Sequence, residues 1–199
     1  YDDLGDAARA KELYERALAI DEAAYGADHV NVATTLTNLG NAYDDLGDAA
    51  RAKELYERAL PIKEAAYGAD HVNVANTLNC LGYTLSNLQG HIATAEQLLR
   101  RALAINPSCC WALGNLGVVV AARGGSGVTT EALQLCERAA KSATTPRDEA
   151  HALAATGIVL LRSGDAAAAR EKLAEAQALD ANSEVAVDLQ RLLSKITQC

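Results

Sequence analysis

Residues 1–42 and 43–84 are nearly one sequence written twice. YDDLGDAARAKELYERALAIDEAAYGADHVNVATTLTNLGNA runs straight into YDDLGDAARAKELYERALPIKEAAYGADHVNVANTLNCLGYT, with seven differences in 42 positions. Tandem self-similarity with a period of about 20–50 residues marks a chain that stacks one supersecondary unit on the next. Such a unit cannot bury its apolar stripe alone, so neighbouring units must supply one another's core.

Within a copy the spacing is helical. After Asp28 the run VNVATTLTNLGNAYDDL places Val32, Leu36, Leu39, Tyr43 and Leu46 three and four apart. Gly47 supplies a stop and Asp48 an N-cap for the next run. That run, AARAKELYERALPIKEAAY, gathers Ala52, Leu55, Tyr56, Ala59 and Leu60 on one face, and Gly68 ends it. Asp70 is then expected to cap the following helix. Pro61 replaces Ala19 of the first copy; it lacks an N–H and crowds the Glu57 carbonyl, which predicts a kink or early break. The chain is 50% hydrophobic yet has no Phe, no Met and one Trp, which favours close helix pairs over a sheet core.

Weaker copies continue to the end. The third unit has Leu78, Leu81-Gly82, Leu85, Ala95, Leu99, Ala102 and Pro107. The fourth has Leu113, Leu116-Gly117, Val120, Ala132, Cys136 and Ala139, and the fifth has Leu153, Thr156-Gly157, Leu160, Gly164, Ala169, Leu173 and Ala176. Gly40, Gly82, Gly117 and Gly157 are expected at helix crossings, facing Ala52, Ala95, Ala132 and Ala169, where larger side chains would force the pair apart. The units fall at 1–25 (partial), 28–68, 70–106, 107–143 and 147–181, giving an array over 1–182. Residues 183–199 read as a capping helix and tail, with Val185, Leu189, Leu192 and Leu193 inward and Asp188, Arg191 and Lys195 outward. About ten helices in antiparallel pairs follow, with no sheet. The opening inside a repeat reads as a fragment of a longer protein.

The pattern Leu36, Leu39-Gly40, Tyr43, Gly47, Ala52, Tyr56, Ala59 resembles the tetratricopeptide repeat. Through AYGADHVNVATTLTNLGNAYDDLGD, the first two units also resemble the 42-residue repeats of kinesin light chains. Motor function does not follow, because such repeats occur in many unrelated regulatory proteins. The Leu-Gly spacing falls from 42 to 35 and then becomes 40, where Gly124-Gly125-Ser126-Gly127 lengthens a loop. The resemblance implies an all-α solenoid of stacked antiparallel hairpins in a right-handed superhelix. Its concave groove would be lined by the first helix of each hairpin.

Carried over position by position, the resemblance implies groove residues Thr34, Thr37, Asn38, Asn41, Asp44 and Asp45 in the second unit. In the third they are Asn76, Asn79, Cys80, Tyr83, Ser86 and Asn87. In the fourth they are Trp111, Gly114, Asn115, Val118, Ala121 and Ala122, and in the fifth His151, Ala154, Ala155, Ile158, Leu161 and Arg162. Four of the seven differences between the copies, at 34/76, 37/79, 38/80 and 41/83, fall on this set, which points to the groove as the adjustable part. An Asn amide donates to and accepts from a peptide backbone at once. Related repeats often add Lys or Arg to clamp a carboxylate or acidic motif. Units two and three offer no basic residue at these positions, and Asp2-Asp3 aligns with Asp44-Asp45. The ligand expected is therefore a protein or peptide that is basic toward the first units. It would be apolar toward Trp111, Val118, Ile158 and Leu161, with Arg162 the only strong positive charge in the groove. The functional expectation is a protein–protein interaction scaffold without catalysis. The alternative is a regulatory or structural spacer array within a larger protein.

Charge and cysteine usage narrow the classes. Net charge is −8, with fifteen acidic and seven basic residues in 1–89 and eleven of each in 90–199. That excess acid argues against nucleic acid and anionic membrane as partners. No apolar run approaches the ~20 residues that span a bilayer. Five irregularly spaced cysteines, at 80, 109, 110, 136 and 199, read as reduced thiols in a cytoplasmic protein. No metal or cofactor is expected: His29 and His71 each follow an Asp in a turn and have no second ligand at i+3 or i+4. Cys109-Cys110 opens a helix, whose N-terminus lowers a thiol pKa, so a reactive thiol is conceivable, but free Cys is more often a small core residue. Gly124–Gly127 with Thr129-Thr130 superficially resembles a phosphate loop but lacks its Lys and strand. No catalytic constellation emerges elsewhere, so an enzyme is not expected.

Overall fold

The structure, a computed structural model, describes residues 2–124, 127–180 and 184–197, with side chains at 6–124, 127–180 and 185–194. Among these residues there are ten helices and no strand: α1 (Asp2–Tyr25), α2 (Val30–Asp45), α3 (Ala49–Tyr67), α4 (Val72–Ser86), α5 (Ile92–Ile105), α6 (Cys110–Arg123), α7 (Val128–Ser142), α8 (Pro146–Arg162), α9 (Ala166–Leu179) and α10 (Glu184–Thr197). They form two compact units, Tyr1–Asn106 and Pro107–Cys199. In the first, each of α1 to α4 packs on the helix that follows it. In the second, α6 packs on α7 and α8, α7 on α8, α8 on α9, and α10 on both α8 and α9.

Local signals place the breaks. At the end of α2, Gly47 takes φ +79°. The Gly47 N–H reaches the Asp44 carbonyl and the Asp48 N–H the Tyr43 carbonyl, both at 2.8 Å, closing a left-handed helix stop. The Asp48 carboxylate then accepts from the Arg51 N–H at 3.1 Å and caps α3. The cap expected of Asp70 is instead made by His71, whose Nδ1 accepts from the Asn73 N–H at 3.1 Å. His29 does the same for Asn31 at 3.2 Å. Gly68 has φ +89° and the His71 N–H returns to its carbonyl, so the tight turn delivers the histidine to the capping position and leaves Asp70 exposed beside it. The two imidazoles stack on Tyr25 and Tyr67 with centroids 4.8 Å apart.

Pro61 does not end its helix. α3 runs unbroken to Tyr67, the counterpart of Tyr25 at the end of α1. Pro61 is exposed, while Ile62 and Lys63 just beyond it are buried; their packing holds the final turns despite one lost backbone bond. The four crossing glycines sit where close approach demands them. A Cβ would meet the Tyr56 ring at Gly40, Leu99 Cγ at 2.7 Å and the Ala95 carbonyl at 3.4 Å at Gly82, and the Ala132 carbonyl at 3.1 Å at Gly117. At Gly157 it would meet Leu189 and, at 3.3 Å, the Ala169 carbonyl. Only at Gly40 does the expected alanine neighbour give way to a tyrosine.

The core between α2 and α3 gathers Val32, Ala33, Leu36, Ala59 and Ile62, with Leu18 and Leu55 against it. Each valine, leucine or isoleucine side chain contributes about 2 kcal/mol when fully buried. At the far end of the second unit, Val185, Ala186, Leu189 and Leu193 of α10 are buried and Leu192 is half-buried. Arg191 is exposed, Asp188 is half-buried, and the Lys195 side chain lies outside the described residues.

Candidate functional site

In the first unit α2 and α4 lie side by side and touch at few points, so the face they share stays open. On α2, Thr34, Asn41 and Asp45 are exposed and Asn38 and Asp44 half-buried. On α4, Asn76 is exposed and Asn79, Cys80, Tyr83 and Ser86 are half-buried; Asn87, just beyond its end, is exposed. Four amides, Asn38, Asn41, Asn76 and Asn79, thus come to adjacent helices of one unit. One is preset: the Tyr56 hydroxyl donates to Asn41 Oδ1 at 2.7 Å, which leaves the amide N–H donors for solvent or a ligand. Thr37, in contrast, is buried and turns its hydroxyl onto the Ala33 carbonyl at 2.8 Å, so it is not an accessible groove residue.

A buried cation lies in the seam between these helices. Lys63 of α3 is only 6% exposed, and its ammonium donates to Thr37 Oγ at 2.8 Å and to Thr77 Oγ at 2.9 Å. Desolvation lowers its pKa below the usual lysine value, against the opposing pull of Cys80. Considering first helices alone missed this residue, because it reaches the seam from a second helix. The available signal was the charge reversal between copies: Asp21 occupies the matching site in α1 and accepts from the Thr35 hydroxyl at 2.7 Å.

Asp44 is drawn inward as well. Its Oδ2 accepts from Thr84 at 2.6 Å and, at 3.1 Å, shares with Asn41 the single proton of the Tyr56 hydroxyl. Desolvation outweighs these bonds and, with the charge of Asp45, raises its pKa to about 6. Asp45 remains a solvent-facing carboxylate. The Asp2 and Asp3 side chains lie outside the described residues.

The second unit is arranged differently. α6 and α8 close on each other because the residues between them are small: Gly114, Ala154 and Ala155. A Cβ at Gly114 would lie 2.8 Å from His151 Nε2. Asn115 and Ile158, expected in the groove, are therefore 5% and 3% exposed and belong to this packed interface. Gly114, His151, Ala154, Ala155 and Leu161 are buried there too. Trp111 and Val118 remain half-buried and Arg162 exposed, its guanidinium donating to the Val118 carbonyl at 3.2 Å.

Trp111 is held on every side. Its ring stacks on His151 with centroids 4.2 Å apart, Arg147 lies 5.4 Å over it, and its Nε1–H donates to Asp148 at 2.8 Å. Desolvation works against the Asp148 carboxylate, but hydrogen bonds from Trp111, Thr144 and Thr145 prevail and hold its pKa at about 2. Beside it, Cys110 is buried and donates to the Asp148 carbonyl at 3.4 Å. Desolvation pushes its thiol up to about 12, as suits a small core residue and not a reactive thiol at a helix start. Among the described residues no group of three His, Cys, Asp or Glu could hold a metal ion, and no helix is long and apolar enough to cross a membrane.

Comparison with known proteins agrees with this architecture. The tetratricopeptide repeat profile matches residues 1–65 and 45–108, more than half of the chain. A Podosopora anserina protein of kinesin light chain type, with nearly identical TPR-like repeats, shares the fold with a TM-score of 0.61, 22% identity and 90% of each chain covered. A thermophilic TPR protein of Thermus thermophilus superposes with a TM-score of 0.66 at 19% identity, over 98% of this chain and 93% of that one. YrrB, a TPR protein with an unusual peptide-binding site, gives 0.50 at 23% identity over 94% and 84%. No curated protein sequence matches. Repeats of this kind generally mediate protein interactions and are generally non-catalytic scaffolds. The chain belongs to the tetratricopeptide repeat family.

Proposed function

We propose that the first unit binds an extended peptide across α2 and α4, by equilibrium association with no chemical step. The observation that carries this reading is the exposed amide of Asn41, whose oxygen is engaged by the Tyr56 hydroxyl while its N–H donors are left for a ligand. Asn38 on α2 and Asn76 and Asn79 on α4 offer further amides able to donate to and accept from an extended backbone. Asp45 favours a basic side chain in that peptide, while Lys63 sits beneath Thr37 and Thr77. The acidic first half disfavours nucleic acid and anionic membrane as ligands. Peptide binding by a structural neighbour, as YrrB is described, is in keeping with this reading.

The test is peptide-display selection on the full chain, with affinities of the enriched peptides measured by fluorescence anisotropy. Asn38→Ala combined with Asn41→Ala removes two hydrogen bonds worth about 1 kcal/mol each, so affinity should fall at least about tenfold. Selected peptides that bind this variant as well as they bind the natural chain defeat the proposal.

A further inference from the structure

We propose that Cys80 is a site of oxidation by small peroxides, its thiolate held by the buried ammonium of Lys63. The duplication supplies the comparison. Asp21 and Asn38 of the first copy become Lys63 and Cys80 in the second, two of only seven differences. Both changes fall at one seam. In the first copy the Asp21 carboxylate accepts from the Thr35 hydroxyl at 2.7 Å. In the second, Lys63 donates to Thr77, the counterpart of Thr35, at 2.9 Å and to Thr37 at 2.8 Å. Thr77 lies one turn before Cys80 on α4, which brings the ammonium to the part of the helix that carries the thiol.

Lys63 is 6% exposed, and the two hydroxyls it touches carry no charge. A buried charge needs an opposite one. Among the described residues no carboxylate supplies it. Asp44, the acid of the same seam, is engaged by Thr84 and Tyr56, and the ionisable group that acts on Lys63 is Cys80. The attraction is mutual, so the ammonium favours the thiolate. Cys80 is a free, half-buried thiol within reach of a small solute, while the ammonium behind it is sealed. Cys110 and Cys136 are the opposite case: both are buried, and desolvation pushes both thiols up to about 12.

A peroxide is the one co-reactant needed. The Cys80 thiolate attacks one peroxide oxygen, and an S–O bond forms from the sulfur electron pair as the O–O bond breaks. Sulfur is oxidised by two electrons to a sulfenic acid. The second oxygen leaves as hydroxide and takes a proton from solvent to become water. The first copy has no counterpart of this chemistry, since Asp21 and Asn38 carry no sulfur.

The test treats the reduced full chain with hydrogen peroxide at neutral pH, traps sulfenic acid with dimedone and locates the adduct by mass spectrometry of peptides. Cys80 should be labelled faster than each of the other four cysteines. Lys63→Met should slow that labelling about tenfold and leave the other thiols unchanged, with circular dichroism verifying the fold. A second readout needs no variant. Alkylation of Cys80 by iodoacetamide in the natural chain should follow a pH profile with its midpoint below the ordinary thiol value of about 8.5. Labelling spread evenly over the cysteines, a midpoint at or above that value, or a folded Lys63→Met chain that reacts as fast as the natural one overturns the proposal.

Discussion

Tyr56 lies across Gly40 so closely that a Cβ added to the glycine would come within 2.6 Å of the ring. Tyr56 is 1% exposed and its hydroxyl is engaged, so the ring has little room to retreat. Gly40→Ala gains about 1 kcal/mol of helix propensity but must displace a packed aromatic, at about 1–3 kcal/mol. We expect a net loss of about 1 kcal/mol in urea unfolding. In a Tyr56→Leu background the same change should instead stabilise, and a double-mutant cycle isolates the coupling.

Asp44 should make the first unit more stable in acid. Its folded pKa, about 6, lies above the ordinary 3.8, so folding favours the protonated carboxyl. The stability it contributes is fully present below about 3.8 and is lost as pH rises through about 6. Asp44→Asn keeps a neutral group there. The variant should exceed the natural chain by about 2 kcal/mol at pH 7.5, a full shift being discounted for partial solvent access, and match it at pH 4. Denaturant midpoints at the two pH values decide the matter.

Lys63 gives a test with a less familiar sign. Burial disfavours its charged form, so its folded pKa lies below that of the unfolded chain, and stability should rise as pH climbs through that window. Lys63→Met removes the buried charge without stranding a donor. Thr37 and Thr77 keep their own bonds to the Ala33 and Asn73 carbonyls, at 2.8 and 3.1 Å. The methionine variant should be more stable at pH 7 by about 1 kcal/mol, with the gap narrowing toward pH 10. A marked destabilisation at pH 7 would show that the ammonium holds α2 to α4.

What the sequence disclosed and what it withheld divide on physical grounds. Helix period, the stops at Gly47 and Gly68 and the crossing glycines are set by neighbours a few residues away or by the repeat itself, so the order of residues alone reveals them. Accessibility of the groove is set by the distance between whole helices. Asn38 and Asn115 hold the same repeat position, yet one is half-buried and the other sealed, because Gly114, Ala154 and Ala155 let α6 and α8 close. The cap at His71 rather than Asp70 turned on a single residue of register in the turn. Lys63 stayed hidden because a long side chain on a second helix can reach where only first helices were considered.

His151 carries the last prediction, and its sign opposes that of Asp44. The ring is 0% exposed, stacked on Trp111 and pinched by Gly114. Nε2 lies 3.3 Å from the Trp111 carbonyl, so this nitrogen bears the hydrogen in the neutral ring. Nδ1 is buried with no hydrogen-bond partner among the described residues. A second proton would have to enter there, where no acceptor awaits it. Desolvation accordingly holds the folded pKa at about 4, below the ordinary 6.5. The stability from keeping the ring neutral is present above about 6.5 and is lost as pH falls through about 4, in all about 3 kcal/mol. Comparing the natural chain with His151→Leu at pH 7 and pH 4 isolates this group, since every other titration is common to both. At pH 7 the leucine variant should be less stable, having lost the Trp111 stack and the carbonyl bond. By pH 4 that deficit should have shrunk or reversed, because only the natural chain must then hold a proton-hungry imidazole in its core. A deficit that stays constant across the range would mean the ring does not titrate differently in the folded protein.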